Sequence, residues 1–124
     1  AHGTLSELLE RCRAREHVSY LGVLKRHRPD PFWLTHGLDG WSLALDFKVD
    51  DARRASLFEH CHDLTELVLA AGGKFYFAKD SVLRPEDATR FLPPDRLAAF
   101  SALKRELDPS GTFETDLSRR VFPA

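Results

Sequence analysis

Gly40-Trp41-Ser42-Leu43-Ala44-Leu45-Asp46-Phe47-Lys48-Val49 alternates without a break. Trp41, Leu43, Leu45, Phe47 and Val49 are large and apolar, whereas Ser42, Ala44, Asp46 and Lys48 are small or polar. Successive side chains of an extended chain point to opposite sides, so this stretch reads as a strand with one apolar face and one bare face. An apolar face of that width needs helices or another sheet to cover it. The flanking sequence therefore decides the fold.

On the upstream side, Phe32 to Gly40 reads as a loop or wide hairpin connection holding Trp33 and His36, and Pro29-Asp30-Pro31 breaks what precedes it. Val18 to Lys25 is rich in β-branched and aromatic types around Gly22 and reads as a partner strand. Before it, Thr4 to Glu16 reads as a helix, with Thr4 and Glu7 at capping-box spacing and Leu5, Leu8, Leu9 and Cys12 in one stripe. On the downstream side, Asp50 or Asp51 caps a helix to about Ala71, with Phe58, Cys61, Leu64 and Val68 expected on its buried side. Gly72-Gly73 ends it, and Lys74 to Ala78 reads as a third strand. Pro85 and Pro93-Pro94 suit first helical turns, and Leu97, Phe100, Leu103 and Leu107 make a helical stripe closed by Asp108-Pro109. Ser110 to Ala124 has no clear period.

The order is helix, strand, strand, helix, strand, then helices. The expected fold is α+β: an antiparallel sheet with helices on one face, in a split βαβ (ferredoxin-like) pattern without its first strand, plus a helical C-terminal extension. The expected division is an α+β unit over 1–81, incomplete at its N-terminal side, and a helical extension over 82–124 packing on it. The absent first strand would be central, so an upstream segment or another copy of the chain is expected to supply it; a homodimer through the unpaired strand is the second option. The absence of methionine, initiator included, likewise reads as a chain that starts part-way through a longer protein.

The 124 residues allow one domain or part of one. Lys+Arg number 18 against 19 Asp+Glu, so the chain lacks the basic surplus of a nucleic-acid domain. No apolar run has bilayer length and no signal-peptide h-region opens the chain, which points to a cytoplasmic protein, with peripheral membrane contact left open. Two cysteines, Cys12 and Cys61, make neither a disulfide framework nor a four-cysteine zinc site. His60-Cys61-His62 looks like a metal cluster, but consecutive helical residues diverge, and no metal is expected there. Lys25-Arg26-His27-Arg28 reads as a solvated charge run rather than a phosphate site. Gly72-Gly73-Lys74 is no P-loop, because Val68 stands where the first glycine is required, and GxSxG and GxGxxG are both absent.

On the bare side of the sheet lie Ser42, Ala44, Asp46 and, by the same parity, Tyr76. Small residues there leave room for something flat, although a solvated face is the commoner reading of such a pattern. Lys79, at the end of the third strand, can act as a cation in a cleft, or as a base if desolvation lowers its pKa, with the cationic role preferred; a surface ion pair with a neighbouring carboxylate is the plainer reading.

Three segments add a resemblance: GWSLALDF (40–47), GGKFYFAKDS (72–81) and DPSGTFETDLSRRV (108–121). In order and spacing they resemble the C-terminal part of FAD-linked oxidoreductases of the vanillyl-alcohol oxidase type. The nearest branch contains decaprenylphosphoryl-β-D-ribose 2-oxidase, with aldonolactone oxidases more distant. The resemblance runs from about Val18 to the end of the chain. It implies a substrate-binding cap region whose antiparallel sheet lies over a flavin, with FAD held mainly by an upstream domain as partner. It also implies a sugar-like or alcohol substrate oxidised by hydride transfer to the flavin, and little activity for the 124 residues alone. Lys79 matches the family's active-site lysine, and Tyr76 its tyrosine near the cofactor. Ser42 and Ala44 fall where that branch carries asparagine and, in mycobacterial members, a reactive cysteine, so the substrate contacts differ here. Asp116, Arg119 and Arg120 match the terminal motif, for which an interdomain role is expected. A stand-alone ferredoxin-like module that binds a ligand or dimerises, without catalysis, is the alternative reading.

Overall fold

The computed structural model describes residues 2–122. Its elements are α1 (His2–Ala14), β1 (Leu21–His27), β2 (Gly40–Asp46), α2 (Arg54–Ala70), a 3₁₀ turn (Phe77–Lys79), α3 (Pro85–Phe91), α4 (Pro94–Leu107) and α5 (Asp116–Val121). The fold is α+β, with helices packed on a two-stranded antiparallel sheet. The two strands pair in a register that sets Lys25 opposite Ser42 and Val23 opposite Ala44.

Two apolar clusters hold the chain together. Leu8 and Cys12 of α1 meet Leu64 of α2, with Leu45, Phe47 and Val68 packed around them. Leu45 and Phe47 belong to the apolar parity of the alternating stretch, so α1 and α2 cover that part of the expected face, whereas Trp41 and Val49 of the same parity stay half exposed. The second cluster joins Leu83, Ala88, Phe91, Leu92 and Val121, and takes in Phe75 and Phe77. Helix α2 serves both, giving Leu64 and Val68 to the first and Leu69 to the second. Its most buried residues are therefore Leu57, His60, Leu64 and Thr65, a stripe rotated from the expected Phe58–Cys61–Leu64–Val68 because the helix is covered on two sides.

Several ends follow local chemistry. Gly72 adopts a left-handed φ of 72°, and the Gly73 amide donates to the Val68 carbonyl at 2.9 Å, the six-to-one bond that closes a helix past a glycine. Pro85 and Pro94 open α3 and α4, where a missing amide proton costs nothing.

Other expectations are corrected. Helix α1 is already formed at His2, so Thr4 lies inside it, and Glu7 pairs with Arg11 instead of closing a capping box. Strand β1 begins three residues late, at Leu21; just before it the Ser19 hydroxyl accepts the Asp46 amide at 3.0 Å while the Tyr20 amide donates to the Asp46 carbonyl at 3.1 Å. Lys74 to Ala78 is not a strand. In a split βαβ sheet the fourth strand pairs with the first, and no described segment supplies that first strand. Tyr76 keeps an extended backbone (φ −94°, ψ 105°), and the chain turns into the 3₁₀ helix at Phe77. Phe75 and Phe77 pack against Phe91 (ring centroids 5.8 and 5.7 Å apart). On α4, Leu97 reaches the core, whereas Leu103 and Leu107 are exposed. The tail contains α5, opened by Thr115 and Ser118, which exchange side-chain and backbone hydrogen bonds at 3.1 and 2.8 Å.

Candidate functional site

Register fixes which side chains share the bare face of the sheet. Paired residues of an antiparallel ladder project to the same side, so Val23, Lys25 and His27 stand with Ser42 and Ala44. His27 Nε2 lies 2.7 Å from Ser42 Oγ, a hydrogen bond between half-buried groups. The His27 ring meets His36 edge-on at 5.0 Å, and His36 meets Tyr76 at 4.5 Å. Ser42, His27, His36 and Tyr76 thus form one continuous polar line from the strand to the segment before the 3₁₀ turn.

The loop bearing His36 is held by its own hydrogen bonds. The Asp30 carboxylate accepts from Thr35 Oγ1 at 2.6 Å and from the Phe32 amide at 3.0 Å, and Thr35 Oγ1 accepts the Gly37 amide at 2.8 Å. A Cβ on Gly37 would run into the Asp30 carboxylate, so this approach requires glycine. The Thr35 hydrogen bond holds the Asp30 carboxyl below its usual range. Burial, reinforced by the neighbouring His27, lowers the pKa of His36 and favours the neutral ring.

Tyr76 points outward because its neighbours point inward. Phe75 and Phe77 are anchored on Phe91, and Phe77 also on Phe122 at 5.2 Å, so the residue between them faces the sheet loop, half exposed. Three residues later Lys79 ends the 3₁₀ turn, with its amide donating to the Tyr76 carbonyl at 3.0 Å. Its neighbour Asp80 is fully engaged. One carboxylate oxygen accepts the Val82 and Leu83 amides at 3.0 Å each, and the other accepts Arg120 at 2.9 Å. The adjacent carboxylate is therefore taken, and the Lys79 ammonium, exposed, has no side-chain partner among the described residues. Arg120, expected at an interdomain contact, clamps the Lys79–Asp80 turn to α5 within the chain, while Arg119 pairs with Asp116 at 2.6 Å on the surface.

The remaining candidates separate. His60, Cys61 and His62 point three ways, as consecutive helical residues must. His60 is fully buried against His17 and Phe47, His62 Nε2 meets the Val82 carbonyl at 3.1 Å, and burial pushes the Cys61 thiol up to about 11. In the basic run, Arg26 binds Asp39 and the Gly40 carbonyl, which ties the hairpin rather than a phosphate. Ser42 and Ala44 share one face of the hairpin, and Tyr76, which lies on no strand, reaches that side only through its ring contact with His36, with Lys79 three residues further on. His27 and His36 were invisible to motif reasoning. It is the hairpin register that puts His27 beside Ser42.

Chemically, the small side chains of Ser42 and Ala44, the Tyr76 ring and the Lys79 ammonium are groups that suit the ring end of a flavin. The Arg84 guanidinium and amide are spent on the buried Asp87.

No family model matches the chain. It is 39% identical over 101 residues to an uncharacterised protein in the mprA 5′ region of Streptomyces coelicolor, covering 81% of this chain and 26% of that protein. It is 33% identical over 106 residues to the decaprenylphosphoryl-β-D-ribose oxidase of Mycolicibacterium smegmatis, covering 85% of this chain and 22% of the oxidase. The chain spans about a quarter of the length of these relatives. It is thus related in sequence to an oxidase, in line with the family that its motifs resemble.

Proposed function

We propose that this chain is the C-terminal, substrate-binding part of an FAD-dependent oxidoreductase that oxidises a hydroxyl of a sugar-like or alcohol substrate. In this reading residues 1–81 form the cap unit, 82–124 the extension that braces it, and the flavin-binding domain is the partner within the same protein. The observation that carries it is the line of Ser42, His27, His36 and Tyr76 along one face of the hairpin, with the exposed Lys79 three residues beyond Tyr76, in a chain related to an oxidase.

The flavin, when bound, supplies the two-electron acceptor. The chain's own residues do the rest. As hydride leaves a carbinol carbon, negative charge develops on its oxygen. Lys79, as an ammonium, stabilises that charge, an effect of about 3–4 kcal/mol for a well-aimed donor. Tyr76 borders the ring, and Ser42 and Ala44 face the substrate. The Asp80–Arg120 clamp fixes the turn from which Lys79 extends.

The test is Lys79→Ala in the full-length protein. Flavin should stay bound, seen by its absorbance, while anaerobic reduction by substrate slows at least about a hundredfold. Reduction at the normal rate would remove Lys79 from the chemistry. A full-length preparation without flavin would sink the whole reading.

A further inference from the structure

We propose that His27 is the proton acceptor of this site, acting through the Ser42 hydroxyl. The inference rests on the flavoprotein reading above and says where the proton goes. It starts from one contact, Ser42 Oγ to His27 Nε2 at 2.7 Å, between residues 15 apart in sequence that the hairpin register brings to one face.

Oxidising a carbinol removes two things. The C–H electron pair leaves as hydride to the oxidised flavin, and the O–H proton must leave as the C=O bond forms. Lys79 as an ammonium stabilises the oxygen but has no lone pair to take that proton. Ser42 has both an acceptor and a donor on one atom. A substrate hydroxyl that donates to Ser42 Oγ passes its proton there, as the Ser42 proton passes to His27 Nε2. One O–H bond breaks on the substrate, one N–H bond forms on imidazole, and Ser42 ends as it began. His27 becomes imidazolium, and being half-buried it can return the proton to solvent between turnovers.

The surroundings suit this role. His36 stands edge-on to His27 and is held neutral by burial, so it neither competes for the proton nor adds a second positive charge. Asp30, engaged by Thr35, lies behind His36. Lys25 stands opposite Ser42 in the ladder, and Asp46 lies further along the same face. Arg26 is turned away onto Asp39.

The arrangement requires the His27 tautomer with its proton on Nδ1 and a bare Nε2. Long-range ¹H–¹⁵N NMR of the histidine rings reads this directly, without any flavin. The expected spectrum has His27 Nε2 as an unprotonated acceptor whose shift changes in Ser42→Ala. A protonated Nε2 at neutral pH would overturn the relay. In the full-length protein, the probe is anaerobic flavin reduction by the fastest member of a panel of aldoses, aldonolactones and polyols. His27→Gln should slow reduction about 10²- to 10⁴-fold with flavin retained, and Ser42→Thr, which keeps the hydroxyl, should recover most of the rate lost in Ser42→Ala. Unchanged reduction in flavin-loaded His27→Gln overturns the relay alone. A protein that holds no flavin overturns the functional reading and the relay together.

Discussion

The two halves of this molecule are built to different standards. Around α3 and α5, Leu83 and Ala88 are 1% and 0% exposed, and a buried Asp87 is held by three hydrogen bonds from Arg84. The sheet half has only two strands, with Leu24 and Trp41 about half exposed. A lone two-stranded ribbon is marginal in water, so β1 and β2 depend on α1 and α2 beneath them and on the Asp30–Thr35 loop beside them. The candidate site straddles the two halves. Ser42, Ala44 and His27 lie on the lightly held sheet, and Tyr76 and Lys79 on a turn fastened to the tightly held core. One border of the site rests on a closely packed core and the other on a half-exposed sheet.

The same substitution on each side measures that contrast. Leu83→Ala should cost about 2–5 kcal/mol, read by chemical denaturation, since it empties a fully buried position. Leu24→Ala should cost under about 1 kcal/mol, since half the side chain is already in water. Equal losses would break the comparison. Between those extremes, Arg120→Ala removes the partner of Asp80 and a donor to the Leu83 carbonyl, and should cost about 1–3 kcal/mol. It should also loosen the Lys79 turn, seen as faster amide exchange at Lys79 and Asp80.

Acid should separate the halves further. His60 is fully buried with neither ring nitrogen hydrogen-bonded, and burial, with the positive neighbours His17, Arg15 and Arg11 outweighing Asp63, holds its pKa below the ordinary value of 6.5. The unfolded chain therefore binds a proton that the folded one refuses. Stability from this group is complete above about pH 6.5 and is lost as pH falls below it toward the folded pKa. Trp33 and Trp41 both report on the sheet half. Their fluorescence melting temperature should drop as pH falls from 7 to 5, and the drop should shrink in His60→Phe. In the other half the sign comes from a carboxylate. Burial alone would raise the Asp87 carboxyl, but the Arg84 hydrogen bonds hold it below its usual range, so its contribution fades only in stronger acid, below about pH 3.8.

The smallest effect is expected on α4. Leu107 is 70% exposed and Leu107→Ala should change stability by less than about 0.5 kcal/mol in thermal melts. Its apolar stripe looks as regular in sequence as that of a buried helix, which shows how far periodicity reaches. It says that a face exists, and neighbours decide whether it is covered.

Much of the fold was legible. The alternation from Gly40, which forms strand only as far as Asp46 and not to the expected Val49, the glycine stop at Gly72 and the prolines opening α3 and α4 are local, and they act through backbone geometry within a few residues. Of the candidate site, Ser42, Ala44, Tyr76 and Lys79 could be named from parity and resemblance. His27 and His36 could not, because neither carries a spacing that marks it. Helix α5 was missed because its start signal, Thr115 with Ser118, replaces the usual acidic partner with a serine.

What the sequence by itself determined is where the chain bends, which residues alternate and which carry charge, since each depends on torsion preferences and hydrogen bonds between near neighbours. Only the tertiary structure decided that Lys74 to Tyr76 stays unpaired, that Asp80 spends its carboxylate on Arg120 40 residues away, and that Ser42 meets His27. Those outcomes depend on which surfaces are present to be buried together, and no local pattern encodes that.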